Sequence, residues 1–240
     1  IQLLTPIAPM LAHPIHSLEQ VAKIMTTDNG RSQPMTMEWK YDGVRCQGHF
    51  DGTTMKLFSR HMLETTYQYP DAAQAILDAR RNGQVKSFII DAEIVGVEEG
   101  GEDGQDYRLL PFQDLSRRKK KNDNGQGVRV KVFCFDLMYL DGISYIHESL
   151  HVRQAIMREC FRETIDFAHV SSQLLSTYDE SKICTFLEQA VEKGAEGLML
   201  KLLGSWNIQE GPESSEDKVP ALLDNDDQAS TSITTTTTTV

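Results

Sequence analysis

Glu38-Trp39-Lys40-Tyr41-Asp42-Gly43-Val44-Arg45 brings an amine, a carboxylate, a glycine turn and a guanidinium together in one short stretch. Such a set suits the holding of a nucleotide phosphate beside a nucleophile. A lysine attacks phosphorus only as the neutral amine, and a nearby cation such as Arg45 favours that form while neutralising phosphate oxygens. Gly43 lets the turn approach a partner closely without a side-chain clash. Asp-Gly is equally the commonest short hairpin turn, so the stretch taken alone also fits a solvated hairpin. The sequence on either side separates the two readings.

Upstream, Ser17-Leu18-Glu19-Gln20 has capping-box spacing, and Leu18, Val21, Ala22 and Met25 behind it predict a short amphipathic helix. The period then changes to two, and Met35 to Trp39 reads as a strand. Downstream, Arg45 to Phe50 and Met55 to Ser59 flank Asp51-Gly52, which predicts a hairpin. Pro70 stands at a tolerated first-turn position of a helix running to Ala79. Phe88 to Val97 and Val128 to Leu140 are rich in β-branched and aromatic residues and predict central strands. Ile183, Phe186, Leu187, Ala190 and Val191 share one helical face that ends at Gly194, and Gly197 to Leu203 follows as a strand. Strands joined by hairpins with helices between them predict an α+β domain of antiparallel sheets flanked by helices.

Further motifs follow in order. Thr5 to Ala12 opens the chain, and Leu57-Phe58-Ser59-Arg60 with Tyr69-Pro70-Asp71 comes after the hairpin. Then come Ser87 to Glu93, Pro111-Phe112-Gln113, Val132 to Gly142, and Glu196-Gly197-Leu198-Met199-Leu200-Lys201. With Glu38 to Arg45 as motif I, these segments are similar to motifs Ia, III, IIIa and IV of a known family. Residues 5 to 203 resemble the nucleotidyltransferase (adenylation) domain of ATP-dependent DNA ligases, most closely the replicative eukaryotic type. Several motifs in the right order are strong evidence where any one alone is weak.

The resemblance implies an ATP-grasp-like pair of sheets with ATP between them and Lys40 as the catalytic nucleophile that forms a lysyl-AMP. It implies ATP contacts from Glu38, Arg45, Arg60, Glu93, Phe135 and Lys201, with Glu38 accepting from the adenine amino group and Phe135 stacking on the base. It implies Mg²⁺ held by Glu93 and Glu196, since the hard ion takes one or two carboxylates with waters and phosphate oxygens; Glu93 equally suits the ribose. Outside the motif, Phe135 reads as core packing, Lys201 as an exposed strand-end lysine and the glutamates as solvated or salt-bridged groups. The implied partner is nicked double-stranded DNA, in replication, repair and recombination, with a monomeric protein in the nucleus or mitochondria.

Composition neither adds to this nor opposes it. The 240 residues are 40% apolar, ordinary for a soluble globular chain, and no stretch approaches the ~18 apolar residues of a membrane span. Cys46, Cys134, Cys160 and Cys184 form no Cys-x-x-Cys pair, so neither a zinc site nor a disulfide framework is indicated. The net charge of −11 is concentrated late: seven acids against Lys218 after Ser205 leave −5 for the body. Arg117 to Lys121 is the one strong basic run, and it lacks the aromatic interleaving of a stacking platform.

Two departures from the family stand out. Gly204 to Glu210 lacks the two lysines of the Trp-Leu-Lys-Leu-Lys-like motif V, and no OB-fold sequence follows. The expectation is an adenylation domain over residues 1–204, cut off near its end and impaired in catalysis, with an acidic, Thr-rich disordered tail over 205–240. Capping guanylyltransferases and RNA ligases share the Lys-x-Asp-Gly motif, but Glu196 to Lys201, Thr5 to Ala12 and Pro111-Phe112-Gln113 favour the DNA ligase type. An inactive nucleotide-binding remnant is the non-enzymatic alternative.

Overall fold

The computed structural model describes residues 1–26, 32–81, 85–100, 106–116 and 127–203. The basic run at 117–121 and the tail at 205–240 lie outside the described residues. Ten strands and five helices are described, in two sheets. Helix α1 (Leu18–Met25) begins where Ser17 Oγ accepts from the Gln20 amide at 3.4 Å. Gln20 reaches back to the amide of His16 rather than that of Ser17, so the predicted capping box closes one residue early.

Strand β1 (Met35–Lys40) leads through the Tyr41-Asp42-Gly43 turn into β2 (Val44–Phe50), and the two strands lie in different sheets. The turn is therefore a crossing between sheets and not a hairpin. A Cβ at residue 43 would stand 2.3 Å from the Ile94 carbonyl oxygen, so only glycine fits that crossing. Asp42 anchors the crossing, because its Oδ2 accepts from the Phe112 amide at 2.9 Å and ties the turn to the Pro111-Phe112-Gln113 segment.

β2 pairs with β3 (Met55–Ser59), with Phe50 opposite Met55. The loop between them is longer than the predicted two-residue turn, because Asp51 Oδ1 accepts from the amides of Thr53 and Thr54. Helix α2 (Pro70–Ala79) matches its predicted span. The long strands β4 (Phe88–Gly100) and β6 (Arg129–Leu140) form the centre of the seven-stranded sheet. Between them stand β5 (Asp106–Leu109), paired with β4, and the short α3 (Phe112–Ser116). β7 (Ile143–Ser144) extends one edge, α4 (Leu150–Cys160) follows, and β8 (Phe167–His169) runs parallel to β6. β9 (Ser172–Leu175), α5 (Glu180–Glu192) and β10 (Gly197–Leu202) complete the described chain. β10, β1 and β9 make the three-stranded antiparallel sheet, and Gly194 takes the left-handed conformation (φ +88°) that stops α5.

Strand parity decides what each face does. The even-numbered Cys46, Phe50, Phe88, Ile90, Ala92, Ile94, Val132 and Cys134 pack with α2 and α4 in one apolar core. In the small sheet, Met35 and Met37 pack with Val21, Met25, Ile183 and Phe186 of α1 and α5. The faces left over carry the polar residues described next. Among the described residues, no helix is long and apolar enough to cross a membrane.

Candidate active site

The remaining parity of β1 presents Thr36, Glu38 and Lys40, two residues apart, as expected for one strand face. β4 presents Asp91 and Glu93 in the same way, and β2 presents Arg45, Gln47 and His49. Lys40 ends β1 at the point where the chain crosses between the sheets. Its ammonium contacts the Glu196 carboxylate, and its carbonyl accepts from the Glu196 amide at 2.8 Å. Glu196 lies in the turn just before β10, not on a strand, and both side chains remain accessible. The charged group in contact with Lys40 is therefore Glu196, and not Arg45 as the sequence suggested.

Arg45 is committed elsewhere. Its Nε and Nη2 donate to the two oxygens of Asp91 at 3.0 and 2.7 Å, and its Nη1 donates to the Met10 carbonyl at 2.9 Å. Burial opposes the guanidinium charge, but the facing carboxylates, Asp91 foremost with Glu93 and Asp136 behind it, together outweigh burial and hold Arg45 above its usual value. This fork geometry is rigid, and it also fastens the opening segment onto the site. Arg60 stands exposed beyond β3, lining a shallow depression with Arg45, Asp91, Gln47 and Pro9.

Glu93 sits behind the Gly43 turn. Burial pushes its carboxyl up to about 8, the Asp91 charge adds to the rise, and Arg45 and Lys40 oppose it. A carboxyl in that state holds its proton at neutral pH until a cation or a hydrogen-bonding ligand arrives. Among the described residues, no cluster of three or more His, Cys, Asp or Glu side chains forms a preassembled metal site.

Glu38 and Lys201 form a buried ion pair, with 3% and 8% of their side-chain surface exposed. Lys201 is thus an interior strand residue, not an exposed strand end. Its Nζ stands 4.5 Å from the centroid of the Phe135 ring, and the Arg45 guanidinium is 5.5 Å from the same centroid. Phe135 owes its position to a bulge: Asp91 pairs with Asp136 and Ala92 with Cys134, which leaves Phe135 as the extra residue. Its ring is only part-buried, while its neighbour Phe133 is packed against Tyr41 at 4.0 Å. An aromatic face flanked by two cations and a carboxylate is a ready surface for a purine base bearing phosphates.

The structure brings together Glu38, Phe135, Arg45 and Lys201, and separately Lys40 and Glu196, with Glu93 close enough to feel the Lys40 charge. Sequence reasoning missed three residues. Asp91 shares parity with Glu93, a signal available from the strand period alone. Asp136 forks onto Arg153 at 2.7 and 2.8 Å, and Gln154 donates to Glu38; both partners sit on α4, a helix that the apolar spacing does not reveal.

A sequence model of the family described as ATP dependent DNA ligase domain matches residues 9–210. DNA ligase 1 of Arabidopsis thaliana is 39% identical over 204 residues, which cover 83% of this chain and 24% of that protein. DNA ligase 1 of Drosophila melanogaster is 35% identical over 201 residues, covering 82% and 25%. A solved structure described as mycobacterial DNA ligase D complexed with ATP and MES shares the fold with a TM-score of 0.51 at 20% identity, covering 72% of this chain and 49% of that one. The chain spans about a quarter of the length of these two curated relatives.

Proposed function

The chain belongs to the ATP-dependent DNA ligase domain family, and from that premise we propose that Lys40 attacks the α-phosphorus of ATP. The Lys40 ammonium first gives one proton to solvent; its neutral Nζ then forms the nitrogen–phosphorus bond as the bond to pyrophosphate breaks, and a second proton passes to solvent, leaving AMP on Lys40 as a phosphoramidate. Glu38 accepts from the adenine amino group, Phe135 stacks on the base, and Lys201 and Arg45 supply positive charge beside it. Positioning and charge neutralisation are most of what phosphoryl transfer asks of a protein. The observation that carries the reading is the placement of Lys40 at the crossing between sheets, in contact with Glu196 and on the same face of β1 as Glu38.

Glu93 and Glu196, one within reach of the Lys40 charge and one in contact with it, offer hard oxygen donors that fit Mg²⁺ bound jointly with phosphate oxygens; the ion would neutralise charge on the triphosphate. Before any nucleotide binds, the Glu196 carboxylate holds the Lys40 ammonium in place. Transfer of the AMP to the 5′-phosphate of nicked double-stranded DNA, with its displacement by the 3′-hydroxyl, is the proposed reaction that this adenylation step serves, in the nucleus.

Incubation of the full chain with α-labelled ATP and Mg²⁺, followed by peptide mapping, tests the first step. Label is expected on Lys40 alone, and Lys40→Ala should reduce labelling at least about 10³-fold, as loss of a covalent nucleophile does. Label that persists in Lys40→Ala overturns the assignment.

A further inference from the structure

We infer that Gln154 sets the base preference of the nucleotide pocket by clasping Glu38 and Phe135, which lie on different sheets, into one fixed arrangement; this rests on the nucleotide reading above. Gln154 is 2% exposed and lies on α4, outside every motif the sequence displays. Its Nε2 gives one hydrogen to Glu38 Oε1 at 2.9 Å and the other to the Phe135 carbonyl at 2.7 Å. Glu38 belongs to the three-stranded sheet and Phe135 to the seven-stranded one. A single amide therefore fixes the distance between the group that would read the base edge and the ring that would stack on its face.

The surroundings make this clasp rigid. Ser149 Oγ caps α4 through the Val152 amide, and Arg153, next to Gln154, forks onto Asp136, next to Phe135. α4 is thus pinned to β6 at the bulge itself, and Gln154 satisfies the carbonyl of the bulged residue. An unmet carbonyl at that depth would be costly.

The same geometry defines what Glu38 can recognise. Lys201 occupies Oε2 and Gln154 occupies Oε1, both as donors, so the carboxylate meets a ligand through its remaining lone pairs as an acceptor. An exocyclic amino group satisfies it. A ring carbonyl in the same place sets acceptor against acceptor, and a site built around a hydrogen bond rejects a ligand that cannot make it. Adenine is accepted and guanine refused on this basis. A carboxyl in place of the Gln154 amide has at most one hydrogen to give, so it cannot hold both Glu38 and the Phe135 carbonyl, and the refusal of guanine would weaken.

Gln154 touches no reacting atom in this scheme, so it is a positioning residue, and the ratio of ATP to GTP affinity is the quantity a merely structural role would leave unmoved. Calorimetric titration of ATP and GTP, each with Mg²⁺, into the full chain and into Q154L and Q154E measures it, with thermal melts alongside. Q154L should weaken ATP binding about tenfold and lower the ATP-over-GTP ratio by a similar factor, the size of one lost hydrogen bond to a charged group. Q154E, nearly isosteric, should bring the ratio closer to one, and it decides alone if Q154L does not fold. Folded variants that keep the unaltered ratio within twofold overturn the role of Gln154 and leave the nucleotide reading intact. Failure of the unaltered chain to bind ATP overturns the nucleotide reading, and this inference with it.

Discussion

Along β2 and the Phe88–Ile94 stretch of β4 the even-numbered positions are apolar and face the core under α2 and α4, while on the opposite face Arg45, Gln47, His49, Asp91 and Glu93 carry charge or hydrogen-bonding groups. The two faces are separated only by the thickness of one sheet. Ile90 and Ala92 on one side alternate with Asp91 and Glu93 on the other, so a single strand supplies both fully buried core residues and a strongly perturbed carboxyl. Rigidity on one face is what allows unfavourable electrostatics to persist on the other. Substitutions on the even face should therefore act on stability, and those on the odd face on ligand binding and pH response.

Phe88 offers the largest test of this division. It is fully buried and meets Phe161 edge to face at 5.0 Å and Phe50 at 5.6 Å. Phe88→Ala should cost about 3–5 kcal/mol of unfolding free energy through lost transfer and an unfilled cavity. Urea titration checks this, with nucleotide affinity of the folded fraction expected within twofold of the unaltered chain. A large loss of affinity without a loss of stability would show that the two faces are not separable.

Glu93 tests the other face through pH. Its carboxyl sits at about 8 in the fold against an ordinary 4.5, so between those values the folded state holds a proton that the unfolded state has released. Stability contributed by this group must then fall as pH rises, by about 3 kcal/mol from pH 5 to pH 8. Glu93→Gln lacks the ionisation and should lack that slope. Parallel denaturation curves for the two proteins across this range would show that Glu93 is not held protonated. Other groups, His49 among them with its imidazole pushed down to about 4 by burial, slope the opposite way, so the difference between the two proteins is the quantity to read.

Much of this arrangement is legible in the sequence because it depends on local period. β1, α2, α5 and β10 follow from apolar spacing and end signals, and the close approach at Gly43 follows from its motif, whereas the crossing between sheets there is visible only in the fold. α4 escapes such a reading because Leu150, Ile156 and Met157 are interrupted by His151, Arg153, Gln154, Arg158 and Glu159, although Ser149 gives an N-cap signal. With α4 goes Gln154. The strands β7, β8 and β9 are two to four residues long and leave no periodic trace. The Arg45–Asp91 fork joins residues 46 positions apart, and the bulge that singles out Phe135 depends on pairing with β4; neither is a property of any local window.

Phe135 supplies the finest test, since its chemical type says core and its position says site. Phe133, of like kind and two residues earlier, is 1% exposed and stacked on Tyr41, whereas Phe135 is part-buried with Lys201 and Arg45 beside its ring. Phe135→Ala should weaken ATP binding by about 1–3 kcal/mol if the base stacks there. It should lower unfolding free energy by less than Phe88→Ala, because the ring leaves a groove already open to solvent and not a sealed cavity. Calorimetry against ATP and a urea melt on the same sample read both quantities. A stability loss equal to that of Phe88→Ala with affinity unchanged would return Phe135 to the core, and the bulge would then be a packing device with no part in reading the nucleotide.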